Sequence, residues 1–242
     1  EHLFKSCGIV NGINTEIFNP ETDKDIYENY NKGSVFELKV KNKTALQKEL
    51  GLKVDENIPM IGMVSRLVSH KGLDLIEAKL NELLSKNIQL VILGTGDKKY
   101  EEALKKVASK NKDKMSLNLV FNLKLASKIY AASDMYLMPS KSEPCGLSQL
   151  IAMRYGTIPI VNAVGGLKDT VIPFNIETKE GNGFNFQSYN ADDMLGAINR
   201  ALELYFNNKP IFNKVITNAI SGDYSWKNSA KKYMDLYLKI SK

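Results

Sequence analysis

The stretch Met135-Tyr136-Leu137-Met138, followed by Ser142-Glu143-Pro144-Cys145-Gly146-Leu147-Ser148-Gln149-Leu150, decides the fold. The first four residues read as a buried strand. Beyond them Leu147, Leu150 and Ile151 recur at helical spacing and open an amphipathic helix. Gly146 lets the backbone turn tightly at the helix start. A helix N-terminus offers free N–H groups and the positive end of a dipole, which suits a phosphate. A carboxylate would repel a phosphate there. Glu143 therefore reads either as facing sugar hydroxyls beside a phosphate or as an ordinary loop side chain. Strand, carboxylate loop and helix together point to a site for a sugar joined to a phosphate.

Working outward, apolar strands alternate with helical patterns from Pro59 onward. Strands are expected at residues 60–64, 89–93, 117–121, 135–138 and 158–161, with a weaker one at 183–186. Helices are expected at 73–84, 98–108, 125–132, 147–155 and 192–206. Strands that are apolar throughout belong to a sheet covered on both faces. Their alternation with helices predicts right-handed crossovers and a parallel, Rossmann-like α/β sheet with helices on both faces. Ligands of such sheets bind beyond the C-terminal strand ends. The site is thus expected at the loops after Val64, Leu93, Phe121, Met138 and Val161.

The flanks read differently. Residues 1–57 carry the turn signals Asn11-Gly12 and Asn19-Pro20 and a possible short helix from Lys43 to Leu50 stopped by Gly51. They are expected to form an interdomain linker and an irregular approach to the sheet. Residues 58–222 are expected to be the nucleotide-binding domain, and 223–242 a helical tail. That tail has Tyr233, Leu236, Tyr237 and Ile240 on one face and follows the single tryptophan, Trp226.

Composition narrows the function classes. The chain has 242 residues, 43% hydrophobic and 25% charged, the balance of an ordinary globular protein. The formal net charge is +6, but lysines alternate with acids, as in Lys98-Lys99-Tyr100-Glu101-Glu102, which describes a solvated face and not a nucleic-acid stripe. No apolar run approaches the roughly 18 residues of a membrane span. Cys7 with Cys145, and His2 with His70, supply neither a disulfide framework nor a metal-binding cluster. A cytoplasmic setting without nucleic-acid or membrane partners is expected. The start at Glu1 reads as a segment of a longer protein.

Each strand end offers chemistry. Arg66 and Lys71 bracket the loop after Val64. Arg can fork onto phosphate oxygens and Lys adds a point charge, although either taken alone could be merely solvated. Gly94 and Gly96 allow close backbone approach to a ligand. Phe121 either stacks on a flat base or belongs to the core. Gly165-Gly166 either closes over the ligand or forms only a turn. His70 reads as a loop side chain. Cys145 has no His or Asn partner that would make it a nucleophile.

With these residues in place, a family resemblance becomes specific. Val64-Ser65-Arg66-Leu67, Lys71-Gly72-Leu73-Asp74, Glu143-Pro144-Cys145-Gly146-Leu147, Tyr155-Gly156-Thr157 and Gly165-Gly166-Leu167 resemble, in order and spacing, the bacterial glycogen synthases and plant starch synthases. Asn11-Gly12-Ile13-Asn14 with Phe18-Asn19-Pro20 looks like that family's passage between domains, and Asp223-Tyr224-Ser225-Trp226 like its C-terminal region. The resemblance covers nearly the whole chain but only the C-terminal half of such an enzyme. It implies one half of a GT-B glycosyltransferase. That enzyme would move glucose, with retention, from ADP-glucose to the non-reducing end of an α-1,4-glucan.

Carried over by position, the resemblance places Arg66 and Lys71 on the donor diphosphate and Glu143 beside the donor glucose. Cys145, Gly146, Leu147 and Ser148 would form the turn and helix start under the distal phosphate, with Gly94, Gly96 and Gly166 around the donor and Phe121 against adenine. Ser148 stands where most bacterial members have Thr, and Phe121 where many have Tyr. The second Glu of the wider Glu-x-Phe-Gly group, eight positions after the first, is Ile151 here, as in the glycogen synthase branch. ADP-glucose enters as substrate, with no cofactor and no metal. The glucan would bind largely through the other domain. Retention with no evident side-chain nucleophile implies a front-face mechanism, in which the leaving phosphate helps to deprotonate the acceptor. A UDP-glucose-dependent synthase, an epimerase and a non-catalytic nucleotide-binding module remain the alternatives.

Overall fold

The computed structural model describes residues 6–241; His2 lies outside them. Six parallel strands form the sheet: β1 (Met60–Val64), β2 (Gln89–Leu93), β3 (Met115–Asn118), β4 (Met135–Met138), β5 (Ile158–Asn162) and β6 (Phe184–Phe186), in the order β3-β2-β1-β4-β5-β6. This is the doubly wound order, and its direction of winding reverses between β1 and β4. Residues 60–63 and all of β2, β4 and β5 are buried, as apolar strands covered on both faces require.

Helices α2 (Leu73–Ser85) and α3 (Lys98–Ala108) connect the first three strands, and α2 packs on both α3 and α7 (Ala191–Asn207). Helix α4 (Leu123–Ala132) packs on α1 (Val35–Glu49), and α5 (Ser148–Arg154) on α8 (Lys209–Ile220). Short α6 (Gly165–Thr170) follows β5, and α9 (Trp226–Ile240) ends the described chain. Along α9 only Ser229 is buried; Tyr233, Tyr237 and Ile240 of the expected apolar face are exposed.

Three elements differ from expectation. The helix before the sheet begins at Val35, not Lys43, and it is sewn into the core by two lysines whose charge conceals them in the sequence. Lys43 is 2% exposed. Its Nζ reaches Asp134 Oδ2 at 2.9 Å, the Tyr205 hydroxyl at 3.0 Å and the Ile58 carbonyl at 3.3 Å. Lys39 Nζ meets the carbonyls of Tyr130, Ala131 and Tyr155 at 2.8–3.2 Å and Thr157 Oγ1 at 2.7 Å. It thereby caps the C-terminal ends of α4 and α5 together, where a cation suits the exposed carbonyls. Helix α8 was not anticipated, although its signals stand in the sequence. Asn208 caps Ile211 N–H, Pro210 lies in the first turn, and Phe212, Val215, Ile216, Ala219 and Ile220 form the buried stripe.

Strand β3 occupies Met115–Asn118 instead of residues 117–121. Asn122 then caps α4 by accepting the Leu125 N–H at 3.0 Å, so Phe121 falls in the preceding loop and is 82% exposed. Its place outside the core removes one of the two readings of this residue.

Candidate active site

The switch point between β1 and β4 opens the site. Pairing of these strands ends at Ile61 with Met135 and Gly62 with Tyr136, and their C-terminal ends diverge. Between them lies an inner cavity of about 180 Å³, lined by Ser65, Arg66, Lys71, Ser140 and Ser148 and floored by Tyr136. A second, largely apolar cavity of about 200 Å³ adjoins it. Gly94, Thr95, Val120, Phe121, Asn122 and Leu123 line that one, and Val64, Ser65 and Arg66 border both. One space has mixed polar and apolar walls and is bordered by cations. The other is apolar with an exposed aromatic ring. Arg66, itself exposed, stands between them.

Two glycines shape the shared wall. The loop after β2 runs beside the loop after β1 through Leu67 N–H to Thr95 C=O at 2.9 Å and Asp97 N–H to Leu67 C=O at 2.8 Å. A Cβ on Gly94, at φ +149, would stand 1.8 Å from the Ser65 carbonyl oxygen, and one on Gly96 would stand 2.2 Å from that of Leu67. The close approach that these glycines permit is therefore to the neighbouring loop, which carries Arg66. Gly94 also lines the apolar cavity; Gly96 does not.

At the inner cavity the loop before α5 brings the acidic residue to the basic one. Lys71 Nζ lies 2.5 Å from Glu143 Oε2, with only 18% and 12% of the two side chains exposed. Ser140 Oγ donates to the same carboxylate oxygen at 3.2 Å, which leaves Oε1 available to a ligand. Gly146 takes φ +72, as a tight turn into α5 requires, and Gln149 Nε2 ties down the carbonyls of Cys145 and Gly146 at 3.1 and 3.0 Å. With those carbonyls turned inward, the N–H groups of the first turn of α5 remain for an acceptor. Leu147 is 46% exposed. Gly166 donates to the Glu143 carbonyl at 3.0 Å, and a Cβ on it would meet the Cys145 carbonyl at 2.2 Å. It thus braces the acidic loop from behind. Cys145 Sγ accepts the Asn11 N–H at 3.2 Å and does not line either cavity.

Of the residues singled out in the sequence, Arg66, Lys71 and Ser148 share the inner cavity, with Glu143 bonded to Lys71. Gly94 and Phe121 line the adjoining one. Gly96, Cys145, Gly146 and Gly166 shape the loops. Sequence reasoning missed Tyr136, Ser140 and Gln149, which read there only as parts of an apolar strand, a loop and a helix face. Among the described residues no group of three or more His, Cys, Asp or Glu gathers as a metal-binding set, and no helix is long and apolar enough to cross a membrane.

Comparison with known proteins shows the family. Residues 42–221 match the family model described as glycosyl transferases group 1. The chain belongs to that family. The chain is 58% identical over 233 residues to a glycogen synthase of Clostridium acetobutylicum, a match covering 96% of the chain and 49% of the relative. It is 54% identical over 241 residues to a glycogen synthase of Clostridium beijerinckii, covering all of the chain and half of the relative. Among solved structures, the catalytic domain of Arabidopsis thaliana starch synthase IV bound to ADP and acarbose superposes with a TM-score of 0.90 at 36% identity, over 98% of this chain and 50% of that one. The sheet is thus of the GT-B glycosyltransferase type, and the chain spans about half the length of the relatives it matches.

Proposed function

We propose that this chain is the donor-binding half of a retaining enzyme that transfers glucose from ADP-glucose to the non-reducing end of an α-1,4-glucan. The observation that carries the reading is the joined pair of cavities. The inner one, with Arg66, Lys71 and Ser148, matches a diphosphate in charge. The outer one, with Phe121, matches a flat base in polarity and shape. The starch synthase neighbour, which holds ADP and acarbose, supports the nucleotide and the glucan class.

In this reading the adenine stacks on Phe121, which its exposure leaves free to do so. The diphosphate lies between Arg66 and Lys71 over the start of α5. As the bond from glucose to phosphate lengthens, negative charge grows on the departing diphosphate, and these fixed cations stabilise it in the transition state more than in the ground state. Glu143, held at Oε2 by Lys71 and Ser140, presents Oε1 toward the glucose. The acceptor hydroxyl attacks on the face the diphosphate leaves, and the leaving phosphate oxygen takes its proton. The glucan is held chiefly by the other half of the protein, which also closes the cleft and supplies the positioning that can lower a barrier by about 7–11 kcal/mol. The setting is cytoplasmic, where nucleotide sugars are available.

Calorimetric titration with ADP and UDP, and glucose transfer to glycogen by the full-length protein, test the reading. ADP should bind several-fold more tightly than UDP, and the isolated chain should bind ADP yet transfer little glucose. Preference for UDP would move the donor to UDP-glucose. Turnover of the isolated chain at about 1 s⁻¹ or above, ordinary for enzymes, would overturn the division of labour.

A further inference from the structure

β1 loses its partner strand where the site begins. Val64 lies two residues beyond the last β1–β4 pair, Gly62 with Tyr136. The next residue, Ser65, bonds the Leu93 carbonyl on the β2 side, so the alternation of the strand points the N–H and C=O of Val64 toward the gap left by β4. One hydroxyl fills both vacancies. Val64 N–H donates to Tyr136 Oη at 3.1 Å, and Tyr136 Oη donates to the Val64 carbonyl at 2.8 Å. Tyr136 is 1% exposed and packs, tilted, against Tyr130 with ring centres 5.3 Å apart. Burial pushes its phenol well above the usual range, so it keeps the proton it donates.

We propose that Tyr136 is a positioning residue for the nucleoside diphosphate: its hydroxyl replaces the missing strand partner of Val64, fixes the end of β1, and so aims Arg66 into the two cavities. This rests on the donor-site reading above. Tyr136 ties the last residue of β1 to the strand on the far side of the gap, and the next two residues form the wall common to both cavities. Without the hydroxyl the ring still fills its place, but the N–H and C=O of Val64 lose their partner, and the end of β1 is held from the β2 side alone. A site organised before binding avoids the cost of ordering on binding.

The test is Tyr136→Phe alone, Arg66→Ala alone and the two combined, with ADP as the probe in calorimetric titration and thermal unfolding measured on each. Tyr136→Phe should weaken ADP roughly three- to tenfold, the scale of one backbone hydrogen bond. The double variant should bind ADP no more weakly than Arg66→Ala, because the phenol acts through the arginine. Unchanged ADP affinity in Tyr136→Phe, even with a lower unfolding midpoint, would overturn the proposal, as would losses that simply add. If Arg66→Ala itself leaves ADP affinity unchanged, the donor-site reading fails instead. Amide hydrogen exchange of the unaltered protein gives a measurement independent of any variant's folding. The Val64 amide, held by the Tyr136 hydroxyl, should be protected, and exchange as fast as in an open loop would overturn the clamp.

Discussion

Glu143→Gln separates the two roles assigned to the inner cavity. Lys71 is held by Glu143 at 2.5 Å, with 18% and 12% of the side chains exposed. An incoming diphosphate must compete with that carboxylate for the ammonium. Two charges 4 Å apart attract by about 4 kcal/mol near a protein surface. The net worth of a hydrogen bond to a charged group is about 1.5–3 kcal/mol, roughly twice that of a neutral one. Gln keeps the shape and an acceptor but removes the charge, so about 1 kcal/mol of the hold on Lys71 is released to the phosphate. ADP should then bind about fivefold more tightly, 1.4 kcal/mol being a tenfold change. Glucose transfer should fall by about 10²-fold, as when one preorganised polar group at a reacting centre is removed. Both are read on the same full-length variant, by calorimetric titration at fixed salt and by incorporation of labelled glucose into glycogen. Near-normal turnover would remove Glu143 from the reaction. A large loss of ADP affinity would place the carboxylate on the nucleotide and refute the competition argued here.

Three further outcomes are expected. Phe121→Ala should weaken ADP by about fivefold or more, base stacking being worth about 1–3 kcal/mol. Because the ring is 82% exposed, the unfolding midpoint should not move, and calorimetry beside thermal unfolding checks both halves. Gly94→Ala forces a Cβ to 1.8 Å from the Ser65 carbonyl at φ +149, so it should lower the midpoint by about 4 °C or more and weaken ADP together, read by the same two methods. Lys39 gives a pH signature. Burial draws its pKa down to about 7, against a smaller upward pull from Asp134, while the unfolded chain keeps that proton to about 10.4. The unfolded state therefore binds more protons between these values, and stability should rise as pH climbs from about 7 to about 10. Urea denaturation across that range should show the rise in the unaltered protein and a shallower one in Lys39→Met.

Much of the site could be read from residue order because parallel α/β sheets place their ligands by rule. Apolar runs at residues 60–64, 89–93, 135–138 and 158–161 are legible as strands since their side chains are buried on both faces. Once the strands are placed, the loops bearing Arg66, Lys71, Glu143 and Ser148 must gather at one edge. Local chemistry also marked Gly146, where only a tight turn joins strand to helix.

Tertiary structure alone decided what depends on partners distant in sequence. Lys39 and Lys43 look like surface charges until α1 meets the carbonyl ends of α4 and α5 and the Asp134 carboxylate. Gly94 and Gly96 suggest a ligand loop until the backbone of Ser65 and Leu67 is found where their side chains would be. Tyr136 counts only as one apolar residue of a strand until β1 and β4 part and its hydroxyl spans the gap. Periodicity records which face of an element is buried. It carries no record of which polar atom, brought from a remote segment, meets a given backbone group or charge there, because that pairing exists only once the elements have packed.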